Sequence, residues 1–290
     1  MGGGAWTATS AVNYVTTAYS AVGATSLDDL ARLSVNQVYT SGGMNSALDP
    51  KGVIRECCDS EEHPETVPVI LALDVTGSMG NAAKTCASKL NDIMTNLYGS
   101  VKDVEFLMMG IGDLSYDSAP IQASQFESDV RILDQTTKIY FEGGGGGNTY
   151  ESYTAAWYFG LHNTKLDCWK RGKKGVIITL GDEPLNPYLP GKALGETLGT
   201  PSQDVDTNEL YKEASKKFDI YHIVITDDDA SYRHYKDEIN NTWKKLLGQR
   251  CVFASCSELD KAIGDIVKDH CGSAVASSSG AIKTEEGISW

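Results

Sequence analysis

The sequence predicts an α/β domain: a mostly parallel, six-stranded sheet, doubly wound, with helices on both faces. Two observations carry that expectation. Short, continuous aliphatic runs recur, such as Val67-Pro68-Val69-Ile70-Leu71-Ala72-Leu73 and Gly175-Val176-Ile177-Ile178-Thr179-Leu180, which suit strands buried on both faces. Between them lie longer stretches with apolar residues at helical spacing, and strands that alternate with helices imply a parallel sheet.

The elements follow in order. Residues 1–65 are rich in Gly, Ser, Thr, Ala and Asn and have weak periodicity. They read as an N-terminal arm with one short helix over 26–33, where Ser26 caps and Asp28 and Asp29 favour the first turn. Regular order starts with a strand over 67–74. A helix over 81–97 places Ala83, Cys86, Ala87, Leu90, Ile93, Met94 and Leu97 on one side. A second buried strand spans 104–111, and 112–136 reads as a long connection. Residues 138–142 read as a short strand with Ile139 and Phe141 on one face, and 150–162 as a helix after the run Gly143 to Gly147. A strand over 175–180 leads into a Pro- and Gly-rich loop, 183–206. Helices over 208–217, 232–247 and 258–270 then alternate with strands over 220–226 and 251–254. The Ser/Gly/Ala-rich residues 272–290 read as a flexible tail, which makes 66–271 the folded domain.

Composition narrows the function. With 290 residues, 41% of them hydrophobic, the chain can bury a large core. Its 25 Lys and Arg against 39 Asp and Glu give a net charge of −14. An acidic surface repels phosphate backbones and anionic lipid, so neither nucleic acid nor membrane is expected as a partner. Seven cysteines, an odd number in no disulfide-like spacing, fit free thiols in a reducing compartment, and a cytoplasmic location is expected. The start, Met1 to Ser10, has neither the basic end nor the apolar core of a signal peptide. Gly2 lacks the Ser or Thr of a myristoylation motif, because Trp6 stands there. The longest apolar run is far too short to span a bilayer.

Three polar clusters fall just past three of the expected strands: Asp74-Val75-Thr76-Gly77-Ser78, Asn148-Thr149-Tyr150-Glu151 and Gly181-Asp182-Glu183. In a parallel sheet they converge on one edge. They offer carboxylates and hydroxyls and no thiolate or imidazole, a hard-oxygen set that selects Mg²⁺, Mn²⁺ or Ca²⁺ over Zn²⁺.

Asp74-x-Thr76-x-Ser78 resembles the DxSxS signature of the metal-ion-dependent adhesion site (MIDAS) of von Willebrand factor A (VWA) domains, with Thr for Ser at the middle position. Thr149 is similar to the family's lone threonine in its second loop, and Asp182 to its aspartate after the fourth strand. The resemblance covers about residues 66 to 271. The stretches GIGD, QFESD, GGGGGN and GDEP also look similar to uncharacterised bacterial and phage VWA proteins. The resemblance implies that Asp74, Thr76, Ser78, Thr149 and Asp182 hold a divalent cation, directly or through water. Only two carboxylates would then serve it, leaving a position open for a carboxylate from a partner protein. Family members include extracellular adhesion domains and intracellular subunits that work with AAA+ ATPases or with kinase and phosphatase modules.

Neighbouring residues carry weaker readings. Asp113, at the end of the second strand, is a candidate acceptor behind the metal ligands, or else a loop carboxylate that caps backbone amides; Asp117 is a weaker case. Glu151 and Glu183 read as helix-start or loop carboxylates. The glycine run lacks the lysine of a phosphate-binding loop and suits close backbone approach instead. The 183–206 loop leaves the strand end beside Asp182 and is expected either to present Leu185 and Tyr188 to a partner or to pack them on itself. The expected function is a metal-dependent protein-binding adaptor or scaffold, non-enzymatic. The alternatives are an assembly component, phage-borne or antiphage, and a Mg²⁺-dependent hydrolase or phosphatase. The hydrolase reading lacks the second aspartate two residues after Asp74 and lacks a nucleophile elbow around Ser78.

Overall fold

In a computed structural model, residues 5–142, 148–200, 203–227 and 231–279 are described, with side chains as far as 272. The chain ahead of the sheet is more helical than its composition suggests. Helix α1 (Ala8–Ala18) is capped by Thr7, whose hydroxyl accepts from the Ser10 N–H at 3.1 Å. Two single-turn helices follow, α2 (Leu27–Leu30) and α3 (Val35–Val38). Each is closed by a side chain reaching back: Asp29 accepts from the Ser26 N–H at 3.0 Å, and Gln37 from the Ser34 N–H at 2.9 Å. A short strand, β1 (Arg55–Cys57), ends this segment.

The central strand β2 (Val67–Asp74) is buried on both faces. Val69, Leu71 and Leu73 enter one hydrophobic core and Ile70 and Ala72 the other, which is why the run carries no polar alternation. Helix α4 (Gly80–Tyr98) buries its apolar side, Ala83 to Leu97, in the first core. The N-terminal segment closes over the same core: Trp6 donates to Asn91 at 3.2 Å, Tyr39 donates to the Ala83 carbonyl at 2.7 Å, and Val15, Leu30 and Val38 are fully buried. Residues 6–48 therefore share the core of the sheet.

Strand β3 (Val104–Ile111) is followed by β4 (Ile121–Glu127), inside the stretch expected to be a connection, and by helix α5 (Arg131–Thr137), which runs one residue past its end. The expected strand over 138–142 does not form. Ile139 and Phe141 are buried as foreseen, but the backbone there pairs with a side chain: the Tyr140 N–H donates to Gln122 Oε1 at 2.7 Å and Gln122 Nε2 donates to the Tyr140 carbonyl at 2.8 Å. A glutamine amide thus takes the place of a neighbouring strand. The run Gly143 to Gly147 lies outside the described residues.

Helix α6 (Ala155–His162) is shorter than expected, and β5 (Thr164–Leu166) pairs with β1. Strand β6 (Gly175–Gly181) comes next. The 183–206 stretch carries structure of its own: β7 (Tyr188–Leu189), α7 (Gly191–Leu198) and β8 (Val205–Asp206). Then follow α8 (Thr207–Ala214), β9 (Phe218–Ile225), α9 (Tyr232–Ile239), a π-helical turn Asn240–Lys244, α10 (Lys245–Leu247), β10 (Cys251–Ala254) and α11 (Leu259–Ser279). Helix α11 continues past its expected end at 270; residues 280–290 of the expected tail lie outside the described residues.

The main sheet has the order β10-β9-β6-β2-β3-β4, parallel except for β4, which runs antiparallel along β3. Helices α4 and α11 cover one face, while α6, α8 and the π-turn with Trp243 cover the other. This is a doubly wound α/β fold with six strands, as expected, although the sixth is 121–127 rather than 138–142. The strand order reverses around β2: β3 lies on one side of it and β6 on the other, so the crevice for a ligand opens at the carboxyl end of β2. Among the described residues no helix is long and apolar enough to cross a membrane.

Under the β6–β9 side lies a buried histidine. His222 stacks flat on Trp243, with ring centroids 3.7 Å apart, and its Nδ1 lies 2.8 Å from the Thr179 hydroxyl. Burial pushes its pKa down to about 3. The unfolded chain therefore binds a proton that the folded one refuses between pH 3 and the free-histidine value, and stability falls as pH drops through that window. We predict that urea unfolding at pH 5 shows a loss of about 2 kcal/mol relative to pH 7 from this group, a loss absent in His222→Phe. Equal pH slopes for the two proteins would contradict it.

Candidate metal site at the carboxyl edge of the sheet

Three parallel strands deliver acidic groups to one edge. β2 ends at Asp74, β6 leads into Asp182, and β3 leads into Asp113; all three side chains are buried. β2 is hydrogen-bonded to both β3 and β6, so the register fixes their relative heights. The first cluster folds back on itself: Asp74 Oδ1 accepts from the Thr76 hydroxyl at 2.5 Å and the Thr76 N–H at 2.9 Å. Ser78 donates to Asp182 Oδ1 at 3.1 Å, which ties the first cluster to the third. Asp182 Oδ2 accepts from the Ser231 N–H at 2.5 Å. The hydroxyls of Thr76 and Ser78 thus spend their protons on carboxylates and keep oxygen lone pairs available.

Sequence reasoning missed Tyr153. Its phenol, fully buried, donates to Asp74 Oδ2 at 2.6 Å. It reaches there by lying against Gly181, where an added Cβ would sit 2.2 Å from the phenol oxygen. Gly112 has the same use: an added Cβ would meet Asp117 Oδ2 at 2.2 Å, and that oxygen accepts from the Asp113 N–H at 2.7 Å. The glycines of GIGD and GDEP are therefore places where a neighbouring side chain occupies the volume of a missing Cβ. A phenol in a distant segment gives no periodic signal; the Gly immediately before Asp182 was the only trace of it.

Asp113 caps a backbone amide: Oδ1 accepts from the Ser115 N–H at 2.6 Å, while Oδ2 is buried without a hydrogen-bond partner among the described residues. Glu151 lies in the loop ahead of α6, one of the two places expected for it, but it is 3% exposed, and its Oε2 is likewise buried without a hydrogen-bond partner among the described residues. Thr149 is exposed, with its hydroxyl beside the Tyr150 phenol. In the 183–206 stretch Leu185 is buried and Tyr188 is half exposed, so only Tyr188 is available at the surface.

The electrostatics follow from burial. Burial, then the negative charge of Asp182, pushes the Asp74 carboxyl up to about 7. Burial raises Asp182 as well. Glu183 is pushed up to about 8 by burial and then by Asp74, and Glu151 to about 11 by burial, Asp74 and Glu183. Among the described residues none of these carboxylates is paired with a Lys or Arg. No three His, Cys, Asp or Glu among the described residues form a metal-holding group; a set of two carboxylates and hydroxyls does not require one. Buried carboxylates, hydroxyl lone pairs and partnerless carboxylate oxygens fit the hard-oxygen demand of Mg²⁺, Mn²⁺ or Ca²⁺.

Neither a family model nor a curated protein matches the chain. Among solved structures it is similar to the pilus adhesin SpaC from Lactobacillus rhamnosus GG in its open conformation, at 14% identity over 76% of this chain and 31% of that chain, with a TM-score of 0.47. A second form of the same adhesin gives 16% identity, 76% and 32% coverage, and a TM-score of 0.49. The chain spans under a third of the length of the adhesin.

We expect Gly181→Ala to displace the Tyr153 phenol and cost about 1–3 kcal/mol in urea unfolding, and Tyr153→Phe to cost about 1–3 kcal/mol by leaving Asp74 Oδ2 without its donor. A Gly181→Ala protein as stable as the parent would show that the phenol does not need that space.

Proposed function

We propose that this chain is a divalent-cation-dependent protein-binding module rather than an enzyme. Asp74, Thr76, Ser78 and Asp182 would hold Mg²⁺, Mn²⁺ or Ca²⁺ at the carboxyl edge of the sheet, and Thr149 would join them from the second loop. The observation that carries the reading is the buried Asp74–Asp182 pair, linked through Thr76 and Ser78 and without a cation among the described side chains. Like charges in a buried site call for a counter-charge. A bound ion of this kind supplies Lewis acidity and, with two carboxylates around it, remains electrophilic enough to take a third from a partner protein. Asp113 and Glu151 would stand behind the ligands and hold waters or ligand protons through their unpartnered oxygens. Tyr188, exposed on the structured loop beside Asp182, offers an aromatic contact at the rim.

Calorimetric titration with Mg²⁺, Mn²⁺ and Ca²⁺ tests the ion. One-site binding is expected in the parent, lost in Asp74→Ala and weakened by about ten-fold or more in Thr76→Val, a loss of at least about 1.4 kcal/mol. Capture of a partner should then depend on the ion and fail in EDTA. Absence of ion binding, together with capture that is equal with and without EDTA, would sink the proposal.

A further inference from the structure

Beside the acidic edge a pocket of about 340 Å³ opens between the loop that leaves β3, helix α7 and the turn at residues 44–51. Asp117 links the two places: it lines the pocket, and its Oδ2 accepts from the Asp113 N–H at 2.7 Å. The lining divides by chemistry. Pro50, Leu114 and Pro120 are buried and, with the half-buried Met44 and Ala193, form an apolar floor. Asp49 and Glu196 are exposed at the rim and Asp117 is half-buried. Among the described lining residues these three carboxylates face one cation, Lys51.

The chain itself does little to neutralise that rim. Asp49 Oδ1 accepts from the Lys51 N–H at 2.9 Å, a contact within the turn. The Arg55 guanidinium lies near enough to feel the Asp49 charge, but it donates to the Ala47 and Ala123 carbonyls at 2.9 and 2.8 Å. Glu196 meets Lys192 at 4.0 Å with both side chains largely in solvent, a pairing that adds little. The Lys51 stem runs past Gly199, where an added Cβ would lie 3.1 Å from its Cγ. That is the carboxyl end of α7, which itself favours a cation.

We propose that this pocket receives a lysine or arginine side chain of the partner protein, its alkyl stem on the apolar floor and its cationic head among Asp49, Asp117 and Glu196. The inference rests on the protein-binding reading above and adds to it a second requirement: the partner carries a basic residue close to the carboxylate that meets the ion. A purely apolar side chain would take water from the carboxylates and replace it with nothing. An anion would be repelled, and the three carboxylates do not form a metal-holding group. A long side chain with an apolar stem and a charged tip satisfies floor and rim together. The volume is at the small end of ligand sites, which suits one side chain rather than a cofactor. Charge matching of this kind sets partner choice.

NMR titration of the full chain, ¹⁵N-labelled and in EDTA to keep divalent ions off the acidic edge, tests the pocket alone. The probes are N-acetylarginine N-methylamide, its uncharged citrulline counterpart, and agmatine as a free small cation. The arginine probe is expected to shift amides of the 114–120 loop and α7 saturably, with a dissociation constant on the order of millimolar. Binding should weaken about ten-fold or more in Asp49→Asn/Glu196→Gln, fall at high salt, and be lost with citrulline. Both substitutions are at exposed side chains, and asparagine keeps the Oδ1 acceptor for the Lys51 N–H, so an unchanged thermal midpoint will show that the variant is folded. No saturable shift at those amides, equal affinity in parent and variant, or citrulline binding as tightly as arginine would overturn the pocket. Agmatine binding ten-fold or more tighter than the blocked arginine would assign the pocket to a free small cation and overturn the side-chain reading. Titration of the parent with Mg²⁺ reads the ion separately: arginine bound in a chain that takes no ion would remove the ion reading and keep the pocket.

Discussion

Asp74 and Asp182 stand buried at the ends of two strands that are hydrogen-bonded to each other, and much of the surrounding structure answers to that pair. A carboxylate out of water needs donors for its oxygens and a counter-charge for its field. The donors come from four residues: Thr76 and Ser78 just after β2, Tyr153 ahead of α6, and the Ser231 backbone ahead of α9. The counter-charge does not come from any described lysine or arginine. In its absence burial raises the carboxyl pKa values, so that protons are held there, and a divalent ion is a chemically natural substitute for them.

The same pair explains the local sequence. Gly181 has no side chain because the Tyr153 ring fills that place. Asn186 bridges the second and third loops, its Oδ1 accepting from the Thr154 N–H at 3.2 Å and its Nδ2 donating to the Thr154 hydroxyl at 2.6 Å. Trp243 donates to the Glu183 carbonyl at 3.1 Å. Charge is sorted along the strands: acidic groups gather where the strands end, and several basic ones where they begin. The net value of −14 averages over that sorting and hides it.

The buried parallel strands were legible because two-sided burial leaves an unbroken aliphatic run, and Asp74, Asp113 and Asp182 were legible because they follow such runs directly. Elements at the margins were not. β4 alternates as an antiparallel edge strand in a stretch of mixed polarity, and Ile139 and Phe141 imitate a strand because a Gln122 amide pairs with the backbone between them. The N-terminal helices are short, and their stability comes from contacts with α4 across dozens of residues rather than from their own periodicity. Tyr153 reaches the acidic edge through tertiary packing, which spacing along the chain does not record.

Tyr153 also lies in a run of rings. Its ring meets Trp243 edge-on at 5.8 Å, Trp243 meets Trp157 at 5.9 Å, and His222 stacks on Trp243. The donor that holds Asp74 is thus coupled optically to two of the chain's five tryptophans. A change at the Asp74 oxygen that Tyr153 holds would therefore be expected to reach the near-ultraviolet dichroism and emission of that ring cluster, an intrinsic gauge of the site that needs no label.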